Sequence, residues 1–166
     1  MKQLMTFFAA VSFLLLSTAG FADAPKIGVV DLQKIMQTSP KMKEIQQRLE
    51  KDFMPRRDKL ITMEEQLKSD MEKLKRDSAV MSEAQKKELQ SKIMTNKQAL
   101  DKEGQAYQQE LNTEHNKAVQ GLYEKVKAVI DQVAKEKKYS LVIQKEAAPY
   151  SDNQLEITDL VMKKLK

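Results

Sequence analysis

Residues 74–93 read LKRDSAVMSEAQKKELQSKI, and the middle of this stretch decides the fold. Ser82-Glu83-Ala84-Gln85 is a capping box. The serine hydroxyl accepts from the third backbone N–H of a new helix, and the glutamine side chain reaches back to the cap N–H. Before it, Ser78-Ala79-Val80-Met81 interrupts a helical pattern that starts at Ser39-Pro40, an N-cap hydroxyl followed by proline at the first helical position. After it, the pattern continues to about Lys137. Two long helices therefore meet at a turn near 78–82. Pro55, inside the first, is expected to kink it by removing one backbone donor.

Two regularities govern how these helices pack. Leu89, Leu100, Leu111, Leu122 and Val133 recur every 11 residues, Tyr107, Ala118 and Val129 follow the same step, and Leu49, Leu60 and Met71 repeat it in the first helix. That period is about 3.67 residues per turn, which makes a straight or slightly right-handed seam. The second regularity is mirror symmetry. Folding the chain so that paired numbers sum to about 163 sets Leu74 by Leu89, Met71 by Ile93, Met63 by Leu100, Phe53 by Leu111 and Ile45 by Ala118. An antiparallel hairpin is expected, with Leu60, Met63, Leu67, Leu74, Leu89, Ile93, Leu100 and Leu111 in its seam. The same alignment puts Leu60 beside Gly104, where a missing side chain permits close approach, and Arg56 near Tyr107, a cation–π geometry.

The second helix would extend about 80 Å at 1.5 Å per residue. A globule of this chain length has a radius of gyration of only about 14–15 Å. The hairpin, residues 41–137, must therefore protrude as an arm. Residues 23–40 and 138–166 are left to form a body, with Lys26 to Val30 a short buried strand, Leu32 to Gln37 a helix capped by Asp31, and Tyr139 to Gln144 a second strand. Pro149 interrupts, leaving room for a third strand near Tyr150. Ile157 to Leu165 closes the chain as a helix with Ile157, Leu160, Val161 and Leu165 on one face. The class is mostly α with a small β body. Such a body, with the adjoining helix ends roughly 60 residues, is near the lower limit for independent stability, and a two-strand sheet is marginal alone. Self-association through Ile27, Val29, Leu141 and Ile143 is the economical solution.

The N-terminus reads MKQ, then a 13-residue apolar run from Leu4 to Leu16, then STAGFADA. A basic start, a short apolar core and small residues form an export signal, residues 1–22, with cleavage favoured after Ala22 over Ala24. An ordinary buried helix is the alternative. The run is shorter than the roughly 20 residues a membrane span needs.

Composition excludes much chemistry. The chain has no cysteine and one histidine, so no thiolate or histidine pair is available. There is no glycine-rich phosphate loop and no hydroxyl nucleophile beside a base. His115 is expected on the seam opposite Leu49, as a packing or partly solvated residue rather than a ligand. No catalytic residue, metal or cofactor is expected. Between Lys68 and Lys97 eight basic residues face five acidic ones, which places most of the cationic excess at the hairpin tip. Lys73, Lys75, Arg76, Lys86 and Lys87, with Val80, Met81 and Met94, are candidate contacts for an anionic partner or an anionic membrane surface. Simple solubility is the competing account. Ala79-Val80-Met81 either touches such a partner or, the favoured reading, folds back over Leu74. Met63 and Met71 are assigned to the seam, Met94 to an open surface. Nucleic acid is not an expected partner, because the helices lack dense basic-aromatic clusters.

KIGVVDLQKIM, the long hairpin, KKYSLVIQKEAAPYS and the closing EITDLVMKKLK, in this order and spacing, resemble the Skp (OmpH-like) family of periplasmic chaperones. The resemblance spans nearly the whole chain beyond the signal. It implies a homotrimer with a central β body and helical arms around a cavity, and unfolded outer-membrane proteins as clients, held without ATP. An extended coiled-coil spacer or adhesion protein of the envelope is the alternative function. Some family members carry a basic cluster, proposed to contact lipopolysaccharide, just beyond the aromatic position matched by Tyr107. Here Gln109-Glu110-Leu111-Asn112-Thr113-Glu114 lacks it, so that site is not carried over.

Overall fold

The structure is a computed structural model that describes residues 24–165. The segment read as an export signal lies outside the described residues. The chain runs β1 (Ile27–Val30), α1 (Leu32–Thr38), α2 (Pro40–Asp77), α3 (Glu83–Lys137), β2 (Leu141–Gln144) and α4 (Thr158–Lys164), with two 3-10 turns between β2 and α4. Each long helix begins as its sequence dictates. Ser39 caps α2 by accepting from the Met42 N–H, with Pro40 at the first helical position. Ser82 caps α3 with both halves of the capping box formed, the Gln85 N–H donating to Ser82 Oγ (3.3 Å) and the Ser82 N–H to Gln85 Oε1 (3.0 Å). α2 continues through Pro55 as one element.

α3 ends on Lys138, which takes the left-handed conformation (φ 57°) that a C-cap requires, although it is not glycine. The Tyr139 N–H then donates to the Ala134 carbonyl at 2.9 Å. Lys26 Nζ covers the point of turning. It donates to the Lys137 carbonyl (3.1 Å) and lies 4.4 Å from the centre of the Tyr139 ring. The turn delivers β2 parallel to β1, with Ile27 opposite Leu141 and Val29 opposite Ile143.

The core lies under this sheet. Val30, Ile35, Met42, Leu122, Val126, Val133, Ile157, Val161 and Leu165 form one buried cluster, so α1, the bases of α2 and α3, and α4 all converge there. The expected face of the last helix is the one that packs. No third strand forms near Tyr150 among the described residues. Pro149 cannot donate to a ladder, the flanking segments wind into 3-10 turns, and Tyr150 is exposed. The chain instead returns to β1 through a single parallel bridge between Val29 and Glu156, with the Ile157 N–H donating to the Val29 carbonyl at 2.8 Å. Buried Thr158 fastens the same corner. Its hydroxyl accepts from the Asp31 N–H (2.8 Å) and donates to Glu156 (3.1 Å). Lys164 pairs with Glu136 and holds that carboxyl below its ordinary range, which ties α4 to the end of α3.

The glycines give the packing opposite signatures. A Cβ on Gly28 would stand 3.1 Å from Ile157 Cδ1 and 3.4 Å from the Tyr139 ring, whereas one on Gly104 would meet nothing within 4 Å. The expected close approach at Gly104 is therefore absent; its missing side chain leaves open space beside Leu60 and Leu100. Gly28→Ala is expected to destabilise by about 1–3 kcal/mol through overpacking. Gly104→Ala is expected to stabilise by about 0.5–1 kcal/mol through helix propensity. Urea midpoints of the two variants, moving in opposite directions from the parent, check both.

Candidate functional site

α2 and α3 run antiparallel along the arm, and the contacts across it fix the register. Lys92 reaches Asp70, Lys59 reaches Glu103 (3.4 Å), and Arg56 pairs with Glu110. These sums lie close to the folding-back number read from the sequence. Leu60, Met63, Leu67, Leu74, Leu89, Ile93, Leu100 and Leu111 are all half-buried, as a two-helix seam with water on both sides requires. Only at the base does burial become complete, at Leu49, Phe53 and Leu122.

Several placements differ from expectation. Tyr107 meets Phe53 edge to face (ring centres 5.8 Å apart, 75° between planes), while Arg56 goes to Glu110 instead of the Tyr107 ring. The carboxylate is the stronger attraction for a guanidinium within reach. His115 is exposed, and its neighbours Glu114 and Ala118 line the groove against Leu49. Met71 is also exposed. Asp70, only 6% exposed, takes the inward position. It accepts from Lys92 Nζ (3.1 Å), Gln66 Nε2 (3.2 Å) and Asn96 Nδ2 (3.5 Å). The signal for this was present in the spacing: Met63, Leu67, Asp70 and Leu74 step by four, three and four residues, the path of one helix face. A charged residue on that path, with a lysine and an asparagine at matching height on the other helix, marks a polar clamp.

At the tip, Val80 is 86% exposed and Ala79 is also exposed, while Met81 is half-buried beside Asp77 and Leu89. The favoured folding-back of this apolar triplet is therefore corrected: it applies to Met81 alone. Three turn residues cannot all reach the seam once Ser82 must cap α3. The basic residues differ in availability. Arg76 is bound to Asp77 (2.8 Å), which raises the guanidinium's pKa and lowers that of the carboxyl. Lys86 pairs with Glu83 (3.1 Å), whereas Lys73, Lys75 and Lys87 are exposed and make no ion pair among the described residues. Met94 is open, as expected for a surface residue.

At the opposite end, the strand register puts Ile27, Val29, Leu141 and Ile143 on one face of the sheet, away from the Val30 and Val142 face that meets the core. Val29 is buried, Ile27 and Ile143 are half-buried, and Leu141 is 51% exposed. No group of three or more His, Asp or Glu side chains is placed to hold a metal ion among the described residues. No helix among them is long and apolar enough to cross a membrane.

A family model described as outer membrane protein (OmpH-like) matches residues 26–165. The chain belongs to the OmpH-like family. It is 30% identical over 166 residues to the chaperone protein Skp of Photorhabdus luminescens, with 100% of both chains covered. It is also 30% identical to the chaperone protein Skp of Pectobacterium atrosepticum, covering 95% of this chain and 96% of that one. In fold it is similar to the crystal structure of an OmpH-like protein from Caulobacter crescentus, with a TM-score of 0.76 over 86% of this chain and 84% of that one at 20% identity. The arm and the sheet are thus features of an OmpH-like chain.

Asp70→Ala removes the acceptor shared by Lys92, Gln66 and Asn96 and leaves a half-open hollow in the seam. It is expected to cost about 1–3 kcal/mol locally. Hydrogen exchange should speed up for residues 71–91 and stay unchanged in α4; equal protection in both variants would show that the clamp holds nothing.

Proposed function

We propose that this protein is a periplasmic chaperone that holds unfolded outer-membrane proteins without ATP, as a homotrimer whose arms enclose the client. The observation that carries the reading is an arm far longer than its own base can shelter, in a chain aligned end to end with a relative named chaperone protein Skp. A hairpin that buries so little along its length is not built as a core. It offers surface. The exposed Val80 and the unpaired lysines Lys73, Lys75 and Lys87 stand where an arriving chain would meet it first.

The second support comes from the body. A parallel sheet is rarely left with a bare face, yet Leu141 lies open beside Ile27 and Ile143. Copies of the same face, brought together, would cover it and set several arms side by side. The region from 41 to 137 then acts as the arm, and 23–40 with 138–166 as the assembling body. Residues 1–22 act as the signal that brings the chain to the periplasm.

Holding without nucleotide follows from many weak contacts. Each is worth little, so a client that gains more by folding into the outer membrane leaves unaided. Long-range attraction by lysines raises the encounter rate more than the final affinity. The chain is a binding protein and not an enzyme.

The test has two readouts on the purified protein lacking residues 1–22. Native mass should be three times that of one chain, and turbidity of a diluted, urea-unfolded β-barrel protein should be suppressed with no nucleotide present. A monomer that leaves turbidity unchanged would point to the envelope spacer instead. A variant carrying Lys73→Gln, Lys75→Gln and Lys87→Gln should capture about tenfold more slowly at low ionic strength. The difference should shrink at physiological salt.

A further inference from the structure

The two long sides of the arm are built differently. One side carries the ion pairs Lys59–Glu103 and Arg56–Glu110 and the Asp70 clamp. The other carries Met54, Ile61, Met71 and Met94, which are 42%, 46%, 54% and 59% exposed. Their placement follows from helix geometry. Arg57, Ile61, Asp101 and Gln105 flank Leu60 and Leu100 on this side. Met94 precedes Asp101 by two turns and Gln105 by three, so it stands in their row. Met71 shares a shallow hollow with Leu67, two lysines (Lys68, Lys75) and two glutamates (Glu64, Glu72). The register of the Asp70–Lys92 contact sets Met71 and Met94 level with each other across the arm. Met54 lies about 26 Å nearer the base at 1.5 Å per residue. Lys68, Lys75 and Lys97, and the acids Glu64, Glu72 and Asp101, are interspersed among these residues and make no ion pair among the described residues.

Unbranched, polarisable thioethers adapt to irregular apolar shapes, and lysine stems add apolar contact beneath an unmatched charge. An unfolded chain that alternates apolar residues with charges of either sign finds both kinds of partner on that side. The same thioethers are also the groups most open to oxidation. There is no cysteine anywhere in the sequence to react first, and Met42, by contrast, is buried in the core.

Resting on the chaperone reading, we propose that Met54, Met71 and Met94 are client contacts of the arm, and that their oxidation by a hypohalous acid reversibly switches capture off. In the step, a thioether sulfur gives two electrons to hypochlorous acid and gains its oxygen. The products are a sulfoxide, chloride and a proton. The reverse step needs a dithiol reductant acting through a methionine sulfoxide reductase, which releases the oxygen as water. A sulfoxide dipole facing an apolar client must be buried without a partner, which opposes binding.

The experiment uses the assembled protein lacking residues 1–22, treated with a few equivalents of hypochlorous acid. Peptide mass mapping should find added oxygen at Met54, Met71 and Met94 ahead of Met42. The apparent affinity for a urea-unfolded β-barrel protein should fall at least about tenfold, with helix content and native mass unchanged. Methionine sulfoxide reductase with dithiothreitol should restore it. A variant with Met54→Gln, Met71→Gln and Met94→Gln should show the loss without any oxidant. Undiminished capture by the fully oxidised protein or by the glutamine variant overturns the inference, as does a loss accompanied by unfolding. An untreated protein that fails to suppress turbidity would overturn the chaperone reading and this inference with it.

Discussion

The rest of the molecule depends on the seam between α2 and α3. An apolar stripe shared by two antiparallel helices, with no third element over it among the described residues, can remove only part of each leucine from water. Beyond Phe53 on α2 and short of Leu122 on α3, no hydrophobic side chain is fully buried, and the one buried residue is Asp70. Stabilisation scales with apolar area removed, so it declines from base to tip. The 11-residue period lets the seam persist over such a length without strong coiling. The capping box at Ser82 and the clamp at Asp70 add polar, directional constraint where apolar constraint is weakest. The arm is thus firm in register and modest in depth of packing.

That gradient places a demand on the base. Leu122, Val126 and Val133 of α3 are buried there against α1, α4 and the sheet, and the corner made by Asp31, Glu156 and Thr158 is fully hydrogen-bonded. One side of the sheet is consumed by this core. On the other, Val29 is buried while Leu141 stays exposed among the described residues. Association of copies through that face would complete the core and orient the arms by the same contact, which is why body and arm belong to one proposal.

The sequence was most legible where local chemistry and long-range pattern agree. Ser39-Pro40, Asp31 and Ser82 each cap the helix they were expected to cap, and mirror symmetry supplied a register close to that of the cross-arm contacts. The misreadings share a cause. At 100° per residue, an error of one position moves a side chain from seam to solvent. The 11-residue step from Leu60 lands on Met71, one position past Asp70, and takes no account of the partners a carboxylate finds at that height. The 11-residue step that serves Ile93 and Val126 fails at His115, because Glu114 and Ala118 turn towards α2 there. The third strand near Tyr150 was unreadable for a different reason: a lone bridge at Glu156 has no periodicity to betray it.

Holding many clients and holding them loosely are the same requirement in physical terms. A deep pocket would select one shape, and a strongly apolar arm would stick to its neighbours before any client came. The described arm avoids both by dividing its sides. Ion pairs across one side hold the register, while open methionines among unpaired charges on the other offer contacts that are individually weak and geometrically undemanding. Affinity then grows with the number of contacts an extended chain can make, and it falls as the client folds and withdraws its apolar residues from reach. On the proposed reading, release would be driven by the client's own folding energy, with no fuel supplied by the arm.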